Sequence, residues 1–301
     1  MIIKEREEPD ELRIFSSLHR RRSLSEKEKK YFKSMQKGYT GEKHFDSLMK
    51  QLTCPHYLLN DLRFKHHNHF FQIDAILLLA NEIYLFEIKN FEGEFYYDSE
   101  KLQMKKQIEV SDPLLQLQKS ESLLRQLLQS HHYNIRIQGF VVFVHPEFTL
   151  YQAPLNKPII LPTQINQFIR QLNKMTSPLK RQSDNVAQFL KTMHIEKPPI
   201  TNIPPYTFDQ LHKGIPCINC HAFSLSVIGH HCICKNCGTK ESIEKAVMRN
   251  VKEFKLLFPK EQVRTTMIQE WCDLIISKER IQRILGKNFH KESDKQWAYY
   301  K

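Results

Sequence analysis

Two runs of strand-forming residues meet at a short turn in Gln72-Ile-Asp-Ala-Ile-Leu-Leu-Leu-Ala-Asn-Glu-Ile-Tyr-Leu-Phe-Glu-Ile-Lys89. If the turn at Ala80-Asn81 has two residues, the hairpin register sets Asp74 directly opposite Glu87. Opposed side chains lie roughly 5 Å apart at Cβ. Lys89 lies two residues beyond Glu87 and therefore projects from the same face. The opposite face is expected to be apolar and to carry Ile73, Ala75, Leu77, Phe86 and Ile88.

These three ionisable side chains predict a metal site. Two opposed carboxylates in an apolar hairpin repel each other, and burying them unpaired is costly. Mg²⁺ or Mn²⁺ resolves the conflict, because a hard cation binds carboxylate oxygens and keeps several waters. Lys89 beside the ion could then hold or deprotonate a water that attacks a phosphodiester. A purely structural salt-bridged trio of Asp74, Glu87 and Lys89 is the alternative interpretation.

The segments around the hairpin predict an α/β domain. A strand triplet, a crossover helix and a further strand imply a mixed sheet with helices on its faces. Ser111 and Asp112 are suitable N-cap residues for the crossover helix, with Pro113 in its first turn. The predicted elements are a helix over 40–52, strands over 56–64, 70–79 and 82–89, a polar hairpin over 93–110, the crossover helix, and a strand over 137–144.

Four short motifs occur in this order along the predicted elements. They are Gly38-Tyr-Thr-Gly-Glu42, Ile73-Asp74, Phe86-Glu-Ile-Lys-Asn90 followed by Gly93, and Asp112-Pro-Leu-Leu-Gln116. As a set they resemble the nuclease-related (NERD) domain, which is grouped with the PD-(D/E)xK nuclease superfamily. The similarity covers about residues 37 to 150. It implies a PD-(D/E)xK nuclease-like mixed sheet of αβββαβ order, with Ile73 in place of the usual Pro.

The resemblance also implies roles for individual residues. Asp74 and Glu87 would be metal ligands, and Lys89 would be the base that positions water. Glu42 would add an acidic group near the metal, and Gln116 would contact substrate or water. The implied activity is metal-dependent hydrolysis of phosphodiester bonds in nucleic acid, DNA rather than RNA. Because the superfamily includes inactive binding modules, the alternative is a non-catalytic nucleic-acid-binding or regulatory protein on a nuclease fold.

Composition narrows the class of protein. The 301 residues are 41% hydrophobic and 26% charged, which excludes a wholly disordered or collagen-like chain. The eight glycines form neither a Walker loop nor a dinucleotide-binding turn. With no long apolar run and a densely charged N-terminal segment, we expect a cytoplasmic protein without membrane contact. A formal net charge of +12 favours a polyanionic partner such as nucleic acid. His66, His67 and His69 are interpreted as a solvated loop rather than a metal site.

Five of the seven cysteines lie between residues 217 and 237. Cys217-Ile-Asn-Cys220 and Cys234-Lys-Asn-Cys237 are two C-x-x-C knuckles with 13 residues between them, a spacing that suits tetrahedral Cys₄ zinc ligation. This segment resembles a zinc ribbon with a structural Zn²⁺. Cys232 is a competing ligand for one position, and His221 and His231 are weaker substitutes.

The C-terminal segment predicts helices over 241–258, 261–272 and 277–285. The last two resemble a helix-turn-helix, whose second helix would lie in the DNA major groove. Its exposed basic residues would contact nucleic acid: Lys278, Arg280, Arg283 and Lys287. A small helical bundle capping the ribbon is the alternative. A third alternative is an adaptor that recruits a protein partner through this region, and a homodimer is also compatible with the sequence.

These patterns divide the chain into five predicted regions. They are a charged, solvated N-terminal extension over 1–36, a nuclease-like domain over 37–176, a linker with one short helix over 177–214, a zinc ribbon over 215–239 and a helical region over 240–301.

Overall fold

The computed structural model describes residues 1–98, 101–105, 108–196, 202–292 and 298–301. The chain divides into two compact units. The first unit contains Met1–Glu8 and Lys33–Pro199, and the second contains Pro9–Phe32 and Ile200–Lys301. Among the described residues, no helix is both long and apolar enough to cross a lipid bilayer.

The secondary-structure elements are numbered in chain order. Residues 1–196 form β1 (Ile2–Lys4), α1 (Asp10–Arg21), α2 (Glu26–Met49), β2 (Tyr57–His66), β3 (His69–Leu78), β4 (Glu82–Lys89), β5 (Gly93–Asp98), β6 (Lys101–Met104), β7 (Ile108–Glu109), α3 (Pro113–Ser130), β8 (Arg136–Phe143), β9 (Phe148–Tyr151), β10 (Ile159–Ile160), α4 (Ile165–Asn173) and α5 (Arg181–Met193). Residues 202–301 form β11 (Leu225–Ile228), β12 (His231–Cys234), β13 (Lys240–Ser242), α6 (Ile243–Leu257), α7 (Thr265–Trp271), α8 (Lys278–Asn288), β14 (Lys291–Glu292) and β15 (Tyr299–Tyr300).

The first unit is built on a six-stranded mixed sheet of order β1-β2-β3-β4-β8-β10. The β2–β3 and β3–β4 pairs are antiparallel, whereas β4–β8 and β8–β10 are parallel. Parallel β4 and β8 need a crossover, and α3 supplies it. The side chain of Asp112 caps α3 by accepting from the Leu114 N–H. The predicted mixed α/β class is therefore confirmed.

Two apolar clusters cover the two faces of this sheet. One contains leucines of α3 together with Val186, Ala187 and Leu190 of α5. The other contains Phe45 and Met49 of α2 and the apolar residues of α4. Since α5 contributes to the core, residues 181–193 are not part of a linker, and the linker predicted over 177–214 is too long.

One residue of the central hairpin lies on the other side from the one predicted. Ala75, Leu77, Phe86 and Ile88 share the cluster that packs on α2, as expected, but Ile73 belongs to the cluster that packs on α3. In the neighbouring strand β2, Asp61 has a φ of 51°, which is a left-handed conformation. A residue in that conformation interrupts the regular alternation of side chains, and Ile73 follows the altered path.

The polar segment after β4 forms a second, four-stranded sheet of order β7-β6-β5-β9. Strands β5 and β6 are antiparallel, as the hairpin predicted over 93–110 requires. Residues 99–100 and 106–107 of that hairpin lie outside the described residues.

The predicted charged extension over 1–36 is instead folded. Strand β1 pairs in parallel with β2 of the first unit. Helix α1 belongs to the second unit, where Leu12, Phe15 and Leu18 are buried. The sequence suggested a solvated stretch because charged residues dominate its composition, but the apolar residues of α1 recur at helical spacing and form one buried stripe.

The basic run at the end of α1 has a structural function in the second unit. Arg21 is buried, and its guanidinium donates to Glu253 Oε2 at 2.6 Å and to Asn250 Oδ1 at 3.1 Å. The guanidinium carbon also lies 3.8 Å from the ring centroid of Trp271. Burial lowers the pKa of Arg21, and the adjacent carboxylate of Glu253 opposes that shift. The end of this basic run is therefore part of the buried interior of the second unit, whereas its charge suggested a solvated extension.

The C-terminal helices match the predicted order with shifted ends. Helix α7 begins at Thr265, four residues later than expected, and α8 continues past Gly286 to Asn288. Ser277 caps α8 by accepting from the Arg280 N–H, as predicted. Ile281, Ile284 and Leu285 form its buried side.

Candidate active site and zinc site

The predicted register of the central hairpin is confirmed. Ala75 pairs with Phe86 and Leu78 pairs with Ile83, which is the predicted register, and Asp74 and Glu87 are the next residues beyond the last pair of this ladder. The Ile88 N–H donates to Asp74 Oδ2 at 2.8 Å, which fixes one carboxylate oxygen at the end of the ladder.

All five site residues that the resemblance implied line one cleft of about 560 Å³ in the first unit. They come from four elements, because α2 contributes Glu42, β3 contributes Asp74, β4 contributes Glu87 and Lys89, and α3 contributes Gln116. The structure therefore brings together residues that are up to 74 positions apart in the sequence.

Lys89 is held between two partners in this cleft. Its Nζ lies 2.8 Å from Glu87 Oε1 and donates to Gln116 Oε1 at 2.6 Å. The Gln116 side chain in turn donates from Nε2 to Ser111 Oγ at 3.2 Å. These contacts restrict the ammonium to the acidic end of the cleft, so that its position depends on both β4 and α3.

Arg6 is the residue that sequence reasoning missed. Its side chain is 1% exposed, and Nη1 donates to Glu42 Oε2 at 2.7 Å. Nε and Nη2 donate to the two oxygens of the Asp46 carboxylate at 2.9 and 3.1 Å. Nη2 also donates to the Asp74 carbonyl oxygen at 2.8 Å. One guanidinium thus connects α2 to the strand that carries Asp74. Nothing in the charged stretch Lys4-Glu-Arg-Glu-Glu8 distinguishes this arginine, so no sequence signal pointed to it.

Burial and mutual repulsion govern the acidic groups. Burial, followed by the charges of Glu87 and Glu42, raises the pKa of Asp74 well above its usual range. Burial also raises the pKa of Glu42, although the charge of Arg6 opposes the shift. The cleft therefore collects negative charge that a bound cation would stabilise.

The donor set suits a hard cation. Glu42, Asp74 and Glu87 offer only carboxylate oxygens, which are the ligands that Mg²⁺ and Mn²⁺ prefer. Among the described residues, the four sulfurs of the cysteine cluster in the second unit all lie within 4.8 Å of one another. The three carboxylates do not form a comparably close group. Glu42 forms an ion pair with Arg6, and Glu87 forms one with Lys89. One oxygen of each of these carboxylates therefore contacts a cationic side chain.

The glycine of the first motif permits close packing of α2 on the end of β4. A Cβ added to Gly41 would lie 2.4 Å from the Cβ of Asn90. Asn90 also donates from Nδ2 to the Lys37 carbonyl oxygen at 2.7 Å. This contact gives a physical reason for a glycine one residue before Glu42, since a larger residue would push Glu42 away from the cleft.

The four predicted zinc ligands converge in the second unit. The sulfurs of Cys217, Cys220, Cys234 and Cys237 all lie within 4.8 Å of one another, and the Cys217–Cys237 and Cys220–Cys234 pairs are 3.6 Å apart. A tetrahedral site with Zn–S bonds of about 2.3 Å requires S–S distances of about 3.8 Å. Hydrogen bonds from Thr239 lower the pKa of Cys237 to about 5, which favours the thiolate that a metal binds. The cluster can therefore bind zinc, and its hairpin is compatible with a zinc ribbon.

The competing ligands are not part of this cluster. Cys232 pairs with Val227 in the β11–β12 hairpin and is buried away from the four sulfurs. His221 and His231 do not join the described group either. Cys232 and Cys234 project from the same side of β12, but residues two positions apart are separated by about 6.6 Å along a strand, so Cys232 lies beyond the knuckle.

The four basic residues predicted on α8 have different surroundings. Arg280 donates from Nη2 to His230 Nδ1 at 2.9 Å, and Lys287 forms an ion pair with Glu244 at 2.9 Å. Lys278 and Arg283 are exposed. A role for this helix in binding nucleic acid stays a prediction.

A mixed sheet with helices on both faces and an acidic cleft at the end of a β-hairpin defines a nuclease-like α/β architecture. Residues 37–144 match the family model of the nuclease-related domain, NERD, and this part of the chain is therefore a nuclease-related domain. The match runs from the residue before the Gly38 motif to the residue after β8, so that it includes all residues that line the cleft apart from Ser34.

Other comparisons add little. No curated protein matches the chain. The crystal structure of protein VC1899 from Vibrio cholerae is similar over 57% of this chain, with 13% identity and a TM-score of 0.26. The match spans 37% of that chain, and at this TM-score it carries no structural argument.

Replacement of Arg6 by Met is expected to lower the free energy of unfolding of the first unit by about 3 kcal/mol, because it leaves buried carboxylates without their partner. Urea denaturation followed by circular dichroism would measure the loss. Arg125→Met is the matched control, since its ion pair with Glu121 lies on the exposed side of α3 and should contribute less than about 0.5 kcal/mol. Equal stability of the two variants would contradict the role of Arg6.

Elemental analysis should find one zinc ion per chain, and Cys220→Ser should abolish tight zinc binding while Cys232→Ser retains it. Without the ion, a short ribbon has too little core to remain folded. We therefore expect limited proteolysis of Cys220→Ser to begin within residues 215–301. Unchanged zinc content in Cys220→Ser, or loss of zinc in Cys232→Ser, would show that the ligand assignment is wrong.

Proposed function

We propose that the nuclease-related domain is a metal-dependent nuclease that hydrolyses phosphodiester bonds, with DNA rather than RNA as its main substrate. The observation that carries this proposal is the convergence of Glu42, Asp74, Glu87, Lys89 and Gln116 on one cleft. Paired carboxylates beside a lysine can bind a divalent cation and orient water, whereas a simple binding module needs only a basic surface.

Asp74 and Glu87 would hold the Mg²⁺ or Mn²⁺ ion, and Glu42 would add negative charge nearby. When bound, the ion would stabilise the charge that develops on the phosphate and lower the pKa of water. Arg6 would keep Glu42 and the carbonyl side of Asp74 in place through its three sets of hydrogen bonds. A Zn²⁺ ion on the four cysteines would have a structural function only, since four protein ligands leave no open position.

Lys89 is the residue suited to act on the attacking water. Its ammonium lies between Glu87 and Gln116, with Glu87 Oε1 at 2.8 Å and Gln116 Oε1 at 2.6 Å. One of its protons can be donated to a water oxygen or to a phosphate oxygen while the other two keep these contacts. Gln116 is anchored by Ser111 and would keep the lysine aligned during the reaction.

The remaining basic surface would bind the substrate backbone. The chain carries a formal net charge of +12, and phosphate neutralisation dominates the affinity of proteins for nucleic acid. In the second unit, the exposed Lys278 and Arg283 of α8 are the residues best placed for such contacts, whereas Arg280 and Lys287 have protein partners.

Asp74→Asn and Glu87→Gln should each reduce cleavage of labelled DNA by roughly 100-fold or more, since each removes negative charge from the metal site. Lys89→Met should reduce kcat by a similar factor with little change in the Mg²⁺ concentration needed for half-maximal rate. Single- and double-stranded DNA and RNA would be incubated with Mg²⁺, Mn²⁺ or EDTA, and the products separated on denaturing gels.

Glu82→Gln is the matched control for these variants. Glu82 is the first residue of the same strand and lies outside the cleft, where it accepts from Gln138 and Tyr84. The Glu82→Gln variant should cleave DNA at the wild-type rate. Full activity of Asp74→Asn and Glu87→Gln, or cleavage that persists in EDTA, would contradict the proposal. Absence of cleavage with every substrate and metal would favour the non-catalytic alternative.

A further inference from the structure

The tip of the β2–β3 hairpin forms part of the rim of the cleft, and the proposed chemistry assigns it no function. Its sequence is Lys65-His-His-Asn-His-Phe-Phe71, with the turn at His67 and Asn68. Residues 62–73 contain no acidic side chain. The tip therefore carries no negative charge, and its two phenylalanines line the acidic cleft.

Two consecutive phenylalanines in this hairpin have opposite environments. Phe71 borders the cleft, but it is only 9% exposed and packs in the apolar cluster beneath α3, where it contacts Phe64. Phe70 is 55% exposed and lines the cleft together with Asp74, Glu87 and Lys89. Packing in the core thus explains why an aromatic residue occupies position 71. It does not explain the aromatic residue at position 70, because the Phe70 side chain is exposed to water in the candidate active-site cleft.

One cationic side chain contacts the exposed ring, and two more line the same cleft. The ammonium of Lys65 lies 5.3 Å from the centroid of the Phe70 ring, in the geometry of a cation–π contact. Lys119 of α3 is exposed and lines the same cleft from the helix side. Lys37 of α2 also lines the cleft, although it forms an ion pair with Glu92. An aromatic ring flanked by positive charges is the combination that binds an unpaired nucleotide, with the base on the ring and the phosphates on the lysines.

We infer that Phe70 is a stacking platform for an unpaired base and that the cleft takes single-stranded nucleic acid, or a single-stranded stretch within a larger substrate. The inference rests on the proposed nuclease function, and it adds the class of substrate. In a duplex both faces of each base are already stacked, so Phe70 can engage a base only where the strand is unpaired. Because every base has a π face, this contact favours single strands without selecting a sequence.

Equilibrium binding without added Mg²⁺ or Mn²⁺, in a buffer that keeps the zinc site loaded, tests this inference separately from catalysis. Fluorescence anisotropy of the full-length protein would be measured with a labelled 20-nucleotide single strand of mixed sequence and with the corresponding duplex. Phe70→Leu keeps an apolar side chain but removes the ring, and it should weaken single-strand binding by about tenfold, the loss expected when one base stack of about 1.4 kcal/mol is removed. Phe70→Trp should retain the affinity. Duplex affinity should change by less than about twofold in both variants, since surface substitutions outside a contact have small effects.

Tyr151→Leu is the control for a general effect of removing an exposed ring. Tyr151 is 49% exposed and lies in β9 of the second sheet, and its ring does not line the cleft. Salt dependence gives a second readout. Phe70→Leu should leave the slope of log affinity against log salt unchanged, whereas Lys65→Gln combined with Lys119→Gln should reduce it by about 0.7 for each lost phosphate contact on a single strand.

The outcomes separate the inference from the proposed function. Unchanged single-strand affinity in Phe70→Leu, or an equal loss on duplex and single strand, would overturn the inference even if the protein cleaves DNA. A selective loss of single-strand binding in Phe70→Leu, restored in Phe70→Trp, would support it even if no cleavage is found with any metal. Circular dichroism of Phe70→Leu should match the wild type, because the ring contributes little buried surface.

Discussion

The antiparallel register of β3 and β4 is the constraint on which the first unit depends. Its four pairs, from Ala75–Phe86 to Leu78–Ile83, are apolar, and Asp74 and Glu87 follow directly at one end of this ladder. A shift of one residue in either strand would turn the carboxylate of that strand to the opposite face of the sheet, into an apolar cluster. The hydrophobic pattern that forms the core therefore also determines where the charged residues of the cleft lie.

Two helices complete the cleft by different means. Helix α2 approaches the end of β4 because Gly41 leaves room for Asn90, and its carboxylates are fixed by Arg6. Helix α3 approaches through Gln116, which accepts from Lys89. The acidic and basic groups of the site are thus positioned by hydrogen bonds from opposite sides of the sheet. This arrangement buries Asp74 close to the like charges of Glu87 and Glu42, which raises the pKa of Asp74.

Local patterns were sufficient to predict the features that depend on short-range geometry. A two-residue turn and a period of two determine the Asp74–Glu87 register, and Asp112 with Pro113 determines the start of α3. The spacing of two C-x-x-C knuckles was enough to identify the four clustered cysteines. Each of these features is set by residues that are close in sequence or by a fixed spacing, so that backbone geometry leaves few alternatives.

Contacts between distant residues could not be predicted in this way. Arg6 and Arg21 both lie in a stretch whose charge suggested a solvated extension, yet each is buried against acidic partners 36 or more positions away. Ile73 changed sides because of a left-handed residue in the adjacent strand, which alternation along β3 alone does not reveal. The sequence pattern indicates how polar a segment is. Whether an arginine is buried depends on which carboxylates lie beside it in the folded chain, and that cannot be seen in the local sequence.

The central claim is that Asp74 and Glu87 form a divalent-cation site at the end of the β3–β4 hairpin. Anomalous diffraction from crystals of the protein soaked in Mn²⁺ tests this claim most directly, because it locates the ion without reference to activity. The expected result is a manganese peak in the cleft about 2 Å from a carboxylate oxygen of each residue, the distance at which a small divalent cation binds oxygen. A map with no manganese peak at these carboxylates would contradict the claim.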